Sequence, residues 1–162
     1  MRRIGLILAA GALLALPGIP RAAGDSPALR KLEVAVVVNS KNPMKDISLK
    51  ELRRLYQGER RFWGDEHPVT LIAPAGGSAV REVLLRKVYV MSEGEYKKYW
   101  IARIFRDEAS AAPKVSSSSQ EALALVNSGR GALALIDADS VGPAKVLKVE
   151  GKLPREAGYV LK

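Results

Sequence analysis

The sequence predicts an α/β protein, a three-layer, mainly parallel sheet with helices on both faces. Short apolar segments rich in β-branched residues indicate buried strands at residues 32–39, 69–73 and 132–136. The stretches between them carry apolar residues at helical spacing. Strands that alternate with helices form a mainly parallel sheet covered on both faces, and nothing in the sequence indicates a second domain.

Four helices are expected, at residues 48–57, 79–88, 93–105 and 118–127. Three of them begin with a serine followed three residues later by a glutamate, which is the pattern of a capping box. The pairs are Ser48 with Glu51, Ser92 with Glu95, and Ser118 with Glu121. Residues 145–149 and 158–161 are further strand candidates, and the polar residues 109–119 are predicted to form a loop.

The first 24 residues have the pattern of a secretory signal peptide. Arg2 and Arg3 precede an apolar run over residues 4–16, and small residues follow a Pro-Gly-Ile-Pro break. The run is shorter than the roughly 20 residues that span a bilayer. Cleavage after Gly24 makes residues 25–162 the mature domain, expected in the bacterial periplasm or exported. The alternative is an uncleaved membrane anchor.

Composition limits the chemistry that the chain can perform. The sequence has no cysteine and a single histidine, His67, so disulfides, thiolate metal sites and multi-histidine metal sites are excluded. It offers no acid–base pair at a recognisable spacing, so neither an enzyme, nor a cofactor, nor a metal is expected.

Charge favours anionic partners. Three of the 26 Lys and Arg lie in the predicted signal peptide, so 23 remain against 17 Asp and Glu, a net charge of about +6. Small oxyanions and anionic lipid head groups both fit this charge. Arginines and aromatics are not interleaved as in a base-stacking surface, so nucleic acid is not an expected partner.

The junction at residues 76–78 is the strongest candidate for a binding site. A predicted strand is followed by two glycines and Ser78, and then by a predicted helix. This arrangement directs the backbone N–H groups of Gly77, Ala79 and Val80 at whatever lies above the helix start. Asp137 and Asp139, after a later strand, are further candidates at the same kind of edge, or else cap a turn.

Arg81 stands where the other helices carry a glutamate. A cation beside N–H donors and a hydroxyl suits a tetrahedral or carboxylate anion. The alternative is an ordinary glycine loop, with Arg81 paired to Glu82 or Glu51 at the surface. The residues alone leave both interpretations open.

Three segments resemble the phosphate-type periplasmic binding proteins of ABC transporters. VNSKNPMKDISLKELRRLYQGERRFW, residues 38–63, resembles the family's Asn-Pro turn and its short helix ending in an aromatic-x-Gly and a Trp. GGSAVRE, residues 76–82, occupies the place of its phosphate-binding Gly-Ser-Gly-Thr-x-Glu loop, with Ala79 and Val80 at the second glycine and the threonine. NSGRGALALIDADSV, residues 127–141, matches its later strand.

The resemblance implies one lobe of the type 2 periplasmic binding protein-like fold. It also implies an exported solute-binding-like protein that recognises a small oxyanion, such as phosphate, for ABC-type uptake or sensing. Ser78, Arg81 and the amides of Gly77, Ala79 and Val80 would hold the anion, with Asn39 and Ser40 as an opposite wall. The implied partners are an ABC permease, a sensor protein or a second lobe.

The alternative function is an envelope interaction module that has kept the fold and lost the ligand. Its partner surface would consist of Phe62 and Trp63 with the cations Arg60 and Arg61. For Phe62 and Trp63, the competing interpretation is a core plug beneath the first helix. The basic run of Arg53, Arg54, Arg60 and Arg61 could instead be a solvated face, or dock onto an anionic membrane or protein.

Overall fold

The computed structural model describes residues 31–64 and 66–162, so the predicted signal peptide lies outside the described residues. Six strands form one sheet in the order β2-β6-β1-β5-β3-β4. They are β1 (Val34–Val38), β2 (Asp46–Ile47), β3 (Thr70–Pro74), β4 (Lys114–Ser116), β5 (Ala132–Asp137) and β6 (Lys145–Val149).

The helices lie close to their predicted positions. They are α1 (Leu49–Tyr56), α2 (Ala79–Val83), α3 (Glu93–Phe105) and α4 (Ser119–Ser128). A π-helical segment, Leu84–Tyr89, continues α2 directly. Each α-helix is capped by a serine hydroxyl that accepts an N–H from the first turn, but α3 alone among them has the reciprocal capping box, between Ser92 and Glu95.

The strand directions determine which residues share an edge of the sheet. β3 is parallel to β4 and to β5, so the carboxyl ends of these three strands meet at one edge. β1 is antiparallel to both β5 and β6. The carboxyl end of β1 therefore lies at the opposite edge. The sheet is mixed: β3 is parallel to β4 and β5, β2 is parallel to β6, and β1 runs antiparallel to both of its neighbours.

Both faces of the sheet are covered. In β1, Val34, Val36 and Val38 pack in one core with residues of α1, the π-helical segment and α3. Ala35 and Val37 point to the other face, where they share a second core with residues of α4. Burial on both faces explains the uninterrupted apolar run in the sequence. The predicted three-layer α/β fold is confirmed.

Two predictions about short segments were wrong. β4 lies inside residues 109–119, predicted as a loop, because its three residues carry too little apolar pattern to stand out. Residues 158–161 form no strand. They are held at β1 instead: the Val34 amide donates to the Leu161 carbonyl at 2.9 Å, and the Tyr159 hydroxyl donates to the Val34 carbonyl at 2.7 Å.

The turn before β5 is tightly packed. A methyl group added at Gly131 would lie 1.9 Å from the carbonyl oxygen of Pro68, so glycine alone fits there. The Gly131 carbonyl accepts a hydrogen bond from the indole Nε1 of Trp63 at 2.9 Å. Within residues 31–64 and 66–162, no helix is long and apolar enough to cross a bilayer.

Candidate functional site

A cavity of about 260 Å³ opens where β3, β4 and β5 end. Open α/β sheets bind ligands at this edge, outside the carboxyl ends of parallel strands. Six of the lining residues are serines: Ser78, Ser116, Ser117, Ser118, Ser119 and Ser140. We call this cavity the serine pocket.

Two helices begin at the serine pocket. Ser78, the N-cap of α2, and Ser118, the N-cap of α4, both line it. The first amides of each helix have no acceptor within their own helix and carry the positive end of the helix dipole. The sequence therefore brings two sets of backbone N–H groups to one opening.

The serine hydroxyls at these caps are already engaged. Ser78 Oγ accepts from the Arg81 amide at 3.1 Å and donates to the Ala75 carbonyl at 2.9 Å. Ser118 Oγ accepts from the Glu121 amide at 3.2 Å. The caps thus hold the helix starts in position, and the first-turn amides are what the two helices offer to a ligand.

Asp137 is the one acidic residue that lines the pocket, and no lysine or arginine lines it among the described residues. Its carboxylate accepts the Asp139 amide at 2.9 Å, as predicted for a turn cap. The pocket thus combines hydroxyls and helix starts with a single carboxylate acceptor. That combination suits an anion that itself carries a proton, because the carboxylate can accept that proton in a hydrogen bond.

The predicted role of Arg81 at the anion needs correction. Its Nε and Nη2 donate to the two carboxylate oxygens of Glu93, both at 3.0 Å. Its guanidinium carbon lies 3.9 Å from the centre of the Tyr96 ring, and the residue is 4% exposed. The cation is buried against α3 and does not line the serine pocket. It is paired, as the alternative held, but inside the protein and with a different acid.

The electrostatics around Arg81 follow from this burial. Its guanidinium holds the pKa of Glu93 below its ordinary value. Burial raises the pKa values of Tyr56, Tyr89 and Tyr96. The Tyr56 hydroxyl donates to the Ile72 carbonyl at 3.0 Å, and the Tyr89 hydroxyl donates to the Tyr56 carbonyl at 2.6 Å. The hydroxyls of Tyr56 and Tyr89 are therefore hydrogen-bonded within the core.

Asn39 and Ser40 do not form an opposite wall. They follow β1, whose antiparallel direction places them at the other edge of the sheet from Ser78. The side-chain amide of Asn39 donates to the carbonyls of Val126 and Asn127, at 2.9 Å and 3.1 Å. Asn39 therefore satisfies the last carbonyls of α4. In the mainly parallel sheet that the sequence predicted, the ends of β1 and β3 would have met at one edge.

The predicted partner surface is divided by the structure. Trp63 is 3% exposed and belongs to the core, as its competing interpretation held, so it is not available to a partner. Phe62 remains exposed, so the core interpretation is wrong for this residue. Arg60 pairs with Glu51 at 2.8 Å, and Arg61 donates to the Glu108 carbonyl. The two arginines thus tie this loop to α1 and to the end of α3.

Of the predicted anion-binding residues, Ser78 and Val80 line the serine pocket. Gly77 and Ala79 flank Ser78 in the same turn, and Gly77 has a positive φ of 78° that favours glycine. The serines of residues 116–119 were missed as pocket residues because they were assigned to a loop and an N-cap. A serine run that leads directly into a helix was the available signal. Anion binding by these residues stays a prediction.

Comparison with solved structures identifies the fold. The chain is similar to a phosphate ABC transporter substrate-binding protein from Clostridium perfringens solved with bound phosphate, at 20% identity and a TM-score of 0.57 over 74% of this chain and 46% of that one. It is also similar to an ABC-type phosphate transport receptor from Vibrio cholerae, at 20% identity and a TM-score of 0.61, over 76% of this chain and 48% of that one. With PstS from Borrelia burgdorferi the identity is 11% and the TM-score is 0.62, over 80% of this chain and 54% of that one.

The chain thus has the fold of a single lobe of a phosphate ABC transporter substrate-binding protein, as the resemblance implied. It spans about half the length of the structures that it matches. No protein-family model and no curated protein matches the sequence. Within the described residues, no cluster of three or more His, Asp or Glu side chains is placed to hold a metal ion.

Proposed function

We propose that this chain is a solute-binding-like protein that recognises a small protonated oxyanion, phosphate above all, in the serine pocket. The observation that carries the proposal is the convergence of two helix starts, those of α2 and α4, on one cavity at the carboxyl edge of the sheet. Binding without catalysis is sufficient for this role, and export to the periplasm accompanies it.

The similar structures support the proposal. Those from Clostridium perfringens and Vibrio cholerae are described as phosphate transport proteins, and another neighbour is described as a high-affinity periplasmic phosphate-binding protein. By analogy, the partner of this chain is an ABC permease, a sensor protein or a second lobe. One lobe presents one wall of a binding cleft, so the affinity of the isolated chain for phosphate is expected to be modest.

The chemistry of the pocket selects the ligand class. No lysine or arginine among the described residues lines the pocket, and Ser78, Ser116 and Ser117 already donate their hydroxyls within the protein. Attraction therefore depends mainly on the first-turn amides of α2 and α4. At neutral pH phosphate carries at least one proton, whereas sulfate carries none. The Asp137 carboxylate repels every anion, but a protonated anion offsets this repulsion by donating a hydrogen bond to it, which sulfate cannot do. Phosphate is therefore the preferred ligand.

The test is thermal melting of the full chain against phosphate and sulfate, with variants Ser119→Asp and Ser48→Asp. Ser119 is the first residue of α4, where an acid favours the helix but repels an anion in the pocket. Ser48 caps α1 beside β2, at the far side of the sheet, so Ser48→Asp is the matched control.

Phosphate should raise the melting temperature saturably in the wild type and in Ser48→Asp. Stabilisation by a ligand grows as RT ln(1 + [L]/Kd), about 2.7 kcal/mol at 100 Kd. In Ser119→Asp the shift should be lost although the protein is folded. An equal shift in Ser119→Asp would mean that the anion does not bind in the serine pocket. If neither the wild type nor a variant showed a saturable shift, the proposal of oxyanion binding would be wrong.

A further inference from the structure

The outer face of α3 is apolar where a solvent-exposed helix is ordinarily polar. Three large side chains on this face are exposed: Ile101 at 67%, Ile104 at 40% and Phe105 at 88%. The spacing of these positions, i, i+3 and i+4, places them side by side on the helix surface. Tyr96 and Trp100 are the buried residues of α3, and Ile104 lies one turn after Trp100. The apolar surface of the helix thus extends past its buried side to Ile101 and Phe105, where no element among the described residues covers it.

Phe62 is a further exposed apolar side chain close to the end of α3. Arg61 donates to the Glu108 carbonyl, which ties the loop of Phe62 to the turn after α3. Phe62, 56% exposed, borders a groove that Trp100 and Ala109 also line. We define the α3 patch as Phe62, Lys97, Lys98, Ile101, Ile104 and Phe105.

The charges around these apolar side chains are mainly positive. Lys97 and Lys98 are exposed one turn before Ile101, on either side of the line that joins Ile101 to Phe105. Arg106 follows directly. Asp107 and Glu108 follow, and Glu108 is held by Arg106 at 2.8 Å and by Arg103 at 3.7 Å. Glu93 and Glu95 lie one turn before the two lysines and interact with them electrostatically. Glu93 is bound by Arg81 and Glu95 by the Ser92 amide, so both acids have closer partners than the lysines that flank the apolar tip.

We propose that the α3 patch binds the surface of an anionic lipid bilayer. A helix face with protruding apolar side chains and flanking lysines is suited to the boundary between head groups and acyl chains. The apolar side chains enter that boundary, while the lysines extend to anionic phosphates. A side chain as exposed as Phe105 requires a pocket in a protein partner, whereas a bilayer accepts it without one.

The orientation of α3 is compatible with a ligand site on the same molecule. Glu93 at its start pairs with Arg81 near the serine pocket, and Arg103 near its end bonds to the Gly58 carbonyl. The loop from Gly58 to Phe62 leads to the amino end of β3. The end of α3 thus lies at the sheet edge opposite the serine pocket, and a chain docked through the α3 patch keeps that pocket open to solvent.

The test places a tryptophan reporter in the full chain by Phe105→Trp. Trp63 and Trp100 are buried, so they contribute a constant background. The matched control is Ala124→Trp, exposed on α4, which covers the other face of the sheet. The probes are vesicles of phosphatidylcholine alone, or mixed with phosphatidylglycerol, with and without brominated acyl chains. Residues 1–30 are present in every variant, so their contribution to binding is the same throughout.

Emission from position 105 should shift to the blue and be quenched by brominated lipid in the phosphatidylglycerol vesicles only, and position 124 should be unaffected. In the Phe105→Trp background, Lys97→Glu with Lys98→Glu should lower the vesicle affinity by about tenfold or more. Equal quenching at both positions overturns the proposal. The absence of quenching at position 105 also overturns it and would assign the α3 patch to a protein partner. An unchanged vesicle affinity after the charge reversal overturns it as well.

Discussion

Arg81 is bound to Glu93 through two parallel hydrogen bonds, both 3.0 Å long, that join the first turn of α2 to the first residue of α3. Paired guanidinium and carboxylate groups in this geometry form one of the stronger polar contacts in proteins. The same guanidinium lies over the ring of Tyr96. Arg81, which the sequence suggested as a cation for binding a ligand, thus links α2 to α3 instead.

Substitution Arg81→Ala should therefore lower stability. It removes the ion pair and the contact with Tyr96, and it leaves a cavity in a buried site. The expected loss is about 3 kcal/mol, the lower end for a broken buried pair, because Glu93 is partly exposed. Urea denaturation measures it. Arg86→Ala, at an exposed position of the π-helical segment, is the control and should change stability by about 0.5 kcal/mol or less.

The Arg81–Glu93 pair should also make stability depend on pH. The folded state lowers the pKa of Glu93, so the pair stabilises fully above the ordinary value of 4.5 and loses its contribution as pH falls through the folded pKa. Glu93→Gln has no such titration. The stability difference between wild type and Glu93→Gln should be constant at neutral pH and shrink below about pH 4.5. A difference that is independent of pH down to pH 3 would contradict the pairing.

Asn39→Ala tests the corrected place of Asn39. Loss of the side-chain amide leaves the buried Val126 carbonyl without this donor, which should cost about 1–3 kcal/mol. Since Asn39 lies at the opposite edge from the serine pocket, the melting shift with phosphate should be unchanged. If Asn39→Ala abolished that shift while the protein stayed folded, the predicted role of Asn39 as a wall of the anion site would be supported instead.

Gly131→Ala should prevent folding or destabilise severely. The added methyl group meets the Pro68 backbone oxygen at 1.9 Å, and neither backbone segment can move without disturbing β5 or the bond from Trp63. Gly94→Ala, in the first turn of α3 with nothing within 4 Å, is the counterpart and should stabilise by about 0.4–1 kcal/mol. Circular dichroism during thermal melting of the two variants compares them directly.

Asp137→Asn examines ligand choice in the serine pocket. Asparagine keeps an oxygen to accept the Asp139 amide, so the turn after β5 should persist. The repulsive charge is removed, and sulfate should become about as effective as phosphate in raising the melting temperature. A variant that still responds to phosphate and not to sulfate would place the selectivity elsewhere.

Much of the fold could be predicted from local pattern, and the exceptions share a physical cause. α3 was placed correctly because a capping box and a periodic apolar face both mark it. The direction of β1 could not be predicted, because a strand buried on both faces has the same apolar pattern whichever way it runs. β4 was missed because three residues carry no period.

The candidate site was predicted only in part for the same reason. Ser78 and Val80 were identified from a local glycine-serine turn and do line the pocket. Ser116 and Ser140 join them through strand order and direction, which are non-local. The role of Arg81 was predicted wrongly because its partner, Glu93, belongs to another helix. A sequence does not show towards which neighbouring element a long side chain at a helix start extends.

The hydrogen bond from the Val34 amide to the Leu161 carbonyl has a consequence for engineering. Val34 pairs with Asp137, so this contact lies at the edge of the sheet where the serine pocket opens. A bulky fusion after Lys162 would therefore start beside the mouth of the pocket. One inserted at the exposed residues 110–112 would instead start at the amino end of β4, which lies at the other edge of the sheet.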